Sequence, residues 1–158
     1  MITLQFVCDT AISSKIIAWF GAGNFSHVDV VMPDGQLLGA RSDAIGGKPP
    51  GVQIRPAGYD NFALKVQFTL PASQTEVADC YAFLMKQIGK PYDFTAIAGF
   101  IAGRDWRQQD SWICSELAAA ALEAAHILPA LYVPTSKITP DALALAVSAA
   151  GAVAHAIP

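Results

Sequence analysis

His27-Val28-Asp29-Val30-Val31, Met32, Pro33-Asp34-Gly35 and Gln36-Leu37-Leu38-Gly39-Ala40 read as strand, turn and returning strand. Val-rich runs suit extended backbone, and Pro-Asp-Gly is a turn signal. Upstream, Ile2, Leu4 and Phe6 alternate with Thr3 and Gln5, the period of another strand over Ile2 to Val7. Asp9 and Thr10 then cap an expected short helix from Ile12 to Phe20, broken by Gly21-Ala22-Gly23-Asn24. Downstream, Ser42 to Gly51 holds Gly46, Gly47, Pro49, Pro50 and Gly51 and must be a loop. Long loops in compact domains are often functional. Val52 to Arg55 and Phe62 to Leu70 are two further expected strands.

The rest of the chain reads as helical. Ser73-Gln74-Thr75-Glu76 matches a capping box, and Val77, Cys80, Tyr81, Leu84 and Ile88 follow at helical spacing until Gly89. Lys90-Pro91-Tyr92-Asp93 is an extended link, and Phe94 to Ala102 a short helix. Asp110-Ser111 offers an N-cap for a helix from Trp112 to Ala125. Pro129 and Pro134 mark an irregular link, and Thr139-Pro140-Asp141 opens a last helix with proline in its first turn. Strand, helix, strands, helices is the order of an α+β fold. With no repeat and no linker, the expectation is one domain over residues 1–158.

Composition narrows the function classes. Hydrophobic residues make up 53% of the 158 residues and charged residues 15%, which excludes disorder. Thirteen acidic against ten basic residues, net charge −3, argue against a nucleic-acid partner. The most apolar stretch, Ala142 to Ile157, is mostly alanine and short of the ~20 residues of a membrane helix, so no stable membrane insertion is expected. Met1 to Val7 carry no basic residue and Asp9 follows, so synthesis in the cytoplasm without a signal peptide is expected. Cys8, Cys80 and Cys114 are odd in number and form no CxxC pair, which predicts no metal site and no disulfide framework.

Cys114 has the most reactive setting of the three. In the first turn of a helix, unpaired N–H groups and the dipole favour a thiolate and can serve an oxyanion. Cys80 lies in the apolar stripe of its helix and Cys8 ends a strand, so packing explains both. A thiolate needs a base, and His27, at the start of a Val-rich strand, is the best placed. His126 suits the end of its helix, and His155 lies in the tail.

Ser26-His27-Val28, the Pro33-Asp34-Gly35 turn, Gly89-Lys90-Pro91-Tyr92-Asp93 and Trp112-Ile113-Cys114-Ser115-Glu116-Leu117 together resemble the permuted branch of the NlpC/P60 superfamily of cysteine hydrolases. The YiiX/YebB-like group is the nearest, with histidine before cysteine in the chain. The resemblance spans residues 1 to about 135. It implies a papain-like α+β fold, a small antiparallel sheet packed against helices, with Cys114 as nucleophile and His27 as base. It implies an oxyanion or substrate-binding role for Tyr92 and a supporting role for Glu116.

The sequence departs from that pattern in two places. Asp29 stands where the family often has glycine. Gly39 falls where the third catalytic residue is expected on the strand after the turn, and glycine cannot orient an imidazole. Asp43 shares the parity of Gly39 and is the first choice for that role; Asp29, on the face of His27, is the alternative. The implied activity is cleavage of an amide bond through an acyl-enzyme, without cofactor, on a peptide or peptidoglycan-derived substrate. Such a chain suits a phage or prophage gene. The alternatives are an acyltransferase or esterase acting on lipids, and a degenerate binding module of the same fold.

Overall fold

The computed structural model describes residues 1–8, 24–59, 61–95, 110–129 and 138–157. Alternation along the strands sorts side chains to two faces. Strands β1 (Ile2–Cys8), β2 (His27–Val31), β3 (Leu37–Arg41), β4 (Gly51–Arg55), β5 (Leu64–Leu70) and β6 (Val153–Ala156) form one sheet in the order β4-β3-β2-β1-β5-β6. Every neighbouring pair is antiparallel. On one face, Ile2, Leu4, Phe6, Val28, Val30, Leu38, Ala40, Val52, Phe68 and Leu70 form the core with three helices found among the described residues. These are α1 (Gln74–Met85), α2 (Cys114–Ala124) and α3 (Pro140–Ala149). The other face carries Gln5, His27, Asp29, Gly39, Arg41 and Arg55, nearly all of them also buried. The fold is therefore α+β, as the order of elements predicts.

Local chemistry explains the helix starts. The Ser73 hydroxyl accepts from the Glu76 N–H at 3.2 Å, and the Glu76 carboxylate accepts from the Ser73 N–H at 2.7 Å. That reciprocal cap satisfies two N–H groups that the start of α1 would otherwise leave without a partner. Thr139 caps α3, with Pro140 in the first turn. The start of α2 differs from the expectation. It begins at Cys114 after an extended Ile113 without a side-chain cap, so Asp110 and Ser111 are not its caps. The cause is tertiary: Trp112 forms a parallel bridge to Tyr92, with its N–H on the Pro91 carbonyl at 3.1 Å and its carbonyl on the Asp93 N–H at 3.1 Å. That bridge holds Trp112 extended and delays the helix to Cys114.

The last strand is a second difference. The tail around His155 is strand β6, fully exposed and paired along β5 after a turn at Gly151, whose φ of +92° suits glycine. The expected helix over Ile12 to Phe20, Pro134 and most of the expected helix over Phe94 to Ala102 lie outside the described residues. Among the described residues no helix is long and apolar enough to cross a membrane.

Candidate active site

The β2–β3 ladder pairs Val30 with Leu38 and Val31 with Leu37, and goes no further toward the start of β2. That end of the sheet receives α2. The α2 stretch Leu117-Ala118-Ala119-Ala120-Ala121-Leu122 supplies short buried alanines at its packing face, which lets the helix approach the sheet closely. Its second residue is tied down by the Ser115 hydroxyl, which donates to the Ile138 carbonyl at 2.6 Å. The approach to β2 is tied to α3, whose Asp141 carboxylate accepts from the Asn24 and Phe25 N–H groups at 2.9 and 3.4 Å. Fixed from both sides, the Cys114 thiol and the His27 ring face one another, close enough for each to shift the other's ionisation. The Val28 N–H, beyond the end of the ladder, also points to the sulfur.

Behind the ring, His27 Nε2 lies 2.9 Å from Asp29 Oδ1, which leaves Nδ1 for the thiol. The two side chains leave the same face of β2, two residues apart. The Tyr59 hydroxyl donates to Asp29 Oδ2 at 2.8 Å, and Arg41 Nη1 donates to that hydroxyl at 3.3 Å. Cys114, His27, Asp29, Tyr59 and Arg41 thus form one continuous line.

The electrostatics follow from this line. Burial disfavours a charged His27, but the Asp29 carboxylate and then the Cys114 sulfur outweigh it and push its pKa up to about 9. Burial also disfavours a Cys114 thiolate, yet the His27 charge and the hydrogen bonds from His27 and Val28 hold its pKa below that of an ordinary thiol. Asp29 is held low despite its burial by His27, Tyr59 and Arg41. The arrangement favours a thiolate–imidazolium pair over a neutral thiol and imidazole. Cys80 shows the contrast: buried among apolar groups, its thiol is pushed up to about 12.

The structure separates the two aspartates between which the strand parity could not decide. Asp43 turns away to Arg41, with Oδ1 on Nε at 2.7 Å and Oδ2 on Nη2 at 2.9 Å, a bidentate pair. The first choice for the imidazole partner is therefore corrected to Asp29. Gly39 explains the exchange. A Cβ there would overlap Asp29 Oδ1 outright and lie 2.9 Å from Asp29 Cγ. The carboxylate fills the space that a side chain on β3 would take, so the missing side chain is the condition for Asp29 to reach His27. We expect Gly39→Ala to push Asp29 off the ring and lower the His27 pKa by roughly a unit or more. An NMR titration of His27 checks this, and an unchanged midpoint would refute it.

Tyr92 is buried beside the start of α2, brought there by its bridge to Trp112, and packs edge-on against Phe94 at 5.2 Å. Burial and the nearby Cys114 sulfur push its hydroxyl pKa up, so it remains a donor. Glu116 is buried in the first turn of α2. The N–H groups of Cys114, Ser115 and Glu116 precede the first intrahelical bond, from the Leu117 N–H to the Ile113 carbonyl at 3.0 Å.

Sequence reasoning missed Tyr59, Arg41, Arg55 and the Val28 N–H. Arg55 is buried on the same face and donates to the carbonyls of Ile45, Gly39, Pro49 and Gly51 at 3.1 to 3.4 Å. It therefore folds the Gly/Pro-rich loop onto the site. Among the described residues no group of three or more His, Cys, Asp or Glu side chains could hold a metal ion. Compared with known protein families and with curated proteins, the chain matches none.

Proposed function

We propose that this chain is a thiol hydrolase that cleaves amide bonds, with Cys114 as nucleophile, His27 as acid and base, and Asp29 as the group that orients His27. The single observation that carries the reading is the buried line of Cys114, His27 and Asp29, with the second oxygen of Asp29 already bonded to Tyr59. A cysteine kept only for packing needs neither a charged imidazole beside it nor a helix start beneath it.

In the reaction the Cys114 thiolate attacks the carbonyl carbon and a C–S bond forms. The oxyanion takes hydrogen bonds from the Cys114 backbone N–H and the Tyr92 hydroxyl. The C–N bond breaks as protonated His27 gives its proton to the leaving amine. Neutral His27 then takes a proton from water, whose oxygen attacks the thioester. The C–S bond breaks, the acid product leaves, and the proton stays on His27 beside the regenerated thiolate.

The resemblance to permuted NlpC/P60 hydrolases, with their papain-like fold, directs the substrate toward a peptide or a peptidoglycan-derived peptide. The antiparallel sheet with helices on one face agrees with that fold class in outline. The degenerate-module alternative rested on the glycine at position 39, and the carboxylate of Asp29 now occupies that space.

Brief treatment of the folded chain with limiting iodoacetamide tests the reading. Mass spectrometry is expected to find the label on Cys114 ahead of Cys8 and Cys80, with the preference lost in His27→Ala. Matched amide and ester substrates of one acyl group then separate an amidase from a lipid-type esterase. Preferential labelling of Cys8 or Cys80 would overturn the assignment.

A further inference from the structure

Tyr59 lies outside the strands, four residues past the end of β4, yet its side chain reaches the buried centre of the polar face. Its ring sits under two guanidinium groups, with Arg41 Cζ 5.3 Å and Arg55 Cζ 5.9 Å from the centroid. The loop after β3 leaves room for the ring: Gly46 has φ of +63°, and a Cβ there would stand 2.8 Å from Tyr59 Cβ. Phe62 closes the remaining side, edge-on at 5.5 Å. So much packing around one hydroxyl fixes where its proton points.

Asp29 has two oxygens and two partners, His27 on Oδ1 and Tyr59 on Oδ2. With Oδ2 held, the carboxylate cannot turn about its Cβ–Cγ bond, and Oδ1 stays on the ring. Two guanidinium charges lie within reach of that carboxylate: Arg55, which is held by the Gly39 carbonyl, and Arg41, which itself donates to the Tyr59 hydroxyl and is paired with Asp43. Tyr59 therefore stands between a carboxylate and a cation that would otherwise draw it away from His27. We propose that Tyr59 is a positioning residue: its hydroxyl, backed by Arg41, locks the Asp29 carboxylate onto His27. The inference rests on the reading of Cys114 and His27 as the reacting pair, and adds a residue that touches neither of them.

Tyr59→Phe is the test, because it keeps the ring against the guanidinium groups and removes only the donor. Without the hydroxyl, Oδ2 turns toward Arg41 and Oδ1 leaves the ring. The His27 midpoint, followed by NMR in the full chain, is expected to fall by about one unit. On a chromogenic peptide amide, kcat is expected to fall about tenfold or more, the worth of a hydrogen bond to a buried charge, with KM within about twofold. In an Asp29→Ala background, or Asp29→Ser should alanine not fold, Tyr59→Phe is expected to change neither quantity further. A His27 midpoint unmoved by Tyr59→Phe overturns the proposal, whatever happens to thermal stability, and so does an equal loss with and without Asp29. If the wild-type chain hydrolyses no amide, the proposed function fails separately, and the His27 titration still decides whether Tyr59 acts on the ring.

Discussion

Cys114→Ala and His27→Ala are each expected to reduce amide hydrolysis by about 10⁴-fold or more, and the double variant little further, because the two act as one unit. Their proximity and the opposite shifts of their pKa values argue for this non-additivity. Without the imidazole, burial acts on the Cys114 thiol against the Val28 N–H alone, so the thiol pKa rises and the thiolate is disfavoured. Without the thiol, His27 keeps its bond to Asp29 but has no nucleophile to serve. The wild-type kcat/KM against pH is expected to form a bell. On the acid side, activity is lost as the sulfur takes a proton, at a pH below the ordinary thiol value because the Cys114 pKa is held down. On the alkaline side, activity is lost near pH 9, where His27 gives up the proton that the leaving amine needs. Stopped-flow hydrolysis across the pH range checks both limbs, which belong to the pair rather than to either residue. Full activity in His27→Ala would remove the imidazole from the mechanism.

Much of the fold is legible because strand alternation and helix caps are local signals. Ile2, Leu4 and Phe6 announce β1, and Ser73 with Glu76 announces α1, since neither depends on distant residues. The start of α2 is not legible at Asp110 and Ser111, because the extended Trp112 is imposed by Tyr92, twenty residues earlier in the sequence. β6 is illegible for another reason. Val153-Ala154-His155-Ala156 buries no side chain and is held by backbone bonding to β5, so no apolar pattern marks it.

The site divides in the same way. Cys114 and His27 are identifiable from a helix start, a strand start and the family resemblance. The choice between Asp29 and Asp43 is not, since parity allows both. It depends on which carboxylate occupies the space above Gly39 and which is captured by Arg41. Tyr59 follows Pro56-Ala57-Gly58, a turn sequence with no sign of chemistry. Its place becomes visible only when Arg55 and Gly46 fold the two loops together.

Asp29→Ala is expected to lower kcat by about 10³- to 10⁴-fold, while Asp43→Asn stays within about fivefold of wild type. The asymmetry follows from what each carboxylate touches. Asp29 is 1% exposed and holds the ring nitrogen opposite the thiol; without it the imidazole loses its tautomer and the imidazolium loses its counter-charge. The Asp43 side chain is 48% exposed and is paired with Arg41, so solvent replaces most of what that pairing contributes. Asp29→Asn should fall between the two, since an amide oxygen can still accept from Nε2 but brings no charge. The neighbouring position supplies a stricter test. Gly39→Asp alone places two carboxylates in one space and is expected to be inactive. Joined to Asp29→Gly, it moves the carboxylate from β2 to β3 while leaving the charge and the volume of the pair unchanged. Recovery of about tenfold or more over Asp29→Gly alone would show that the imidazole needs a carboxylate in that space, whichever strand carries it. An Asp43→Asn variant as slow as Asp29→Ala would return the orienting role to Asp43.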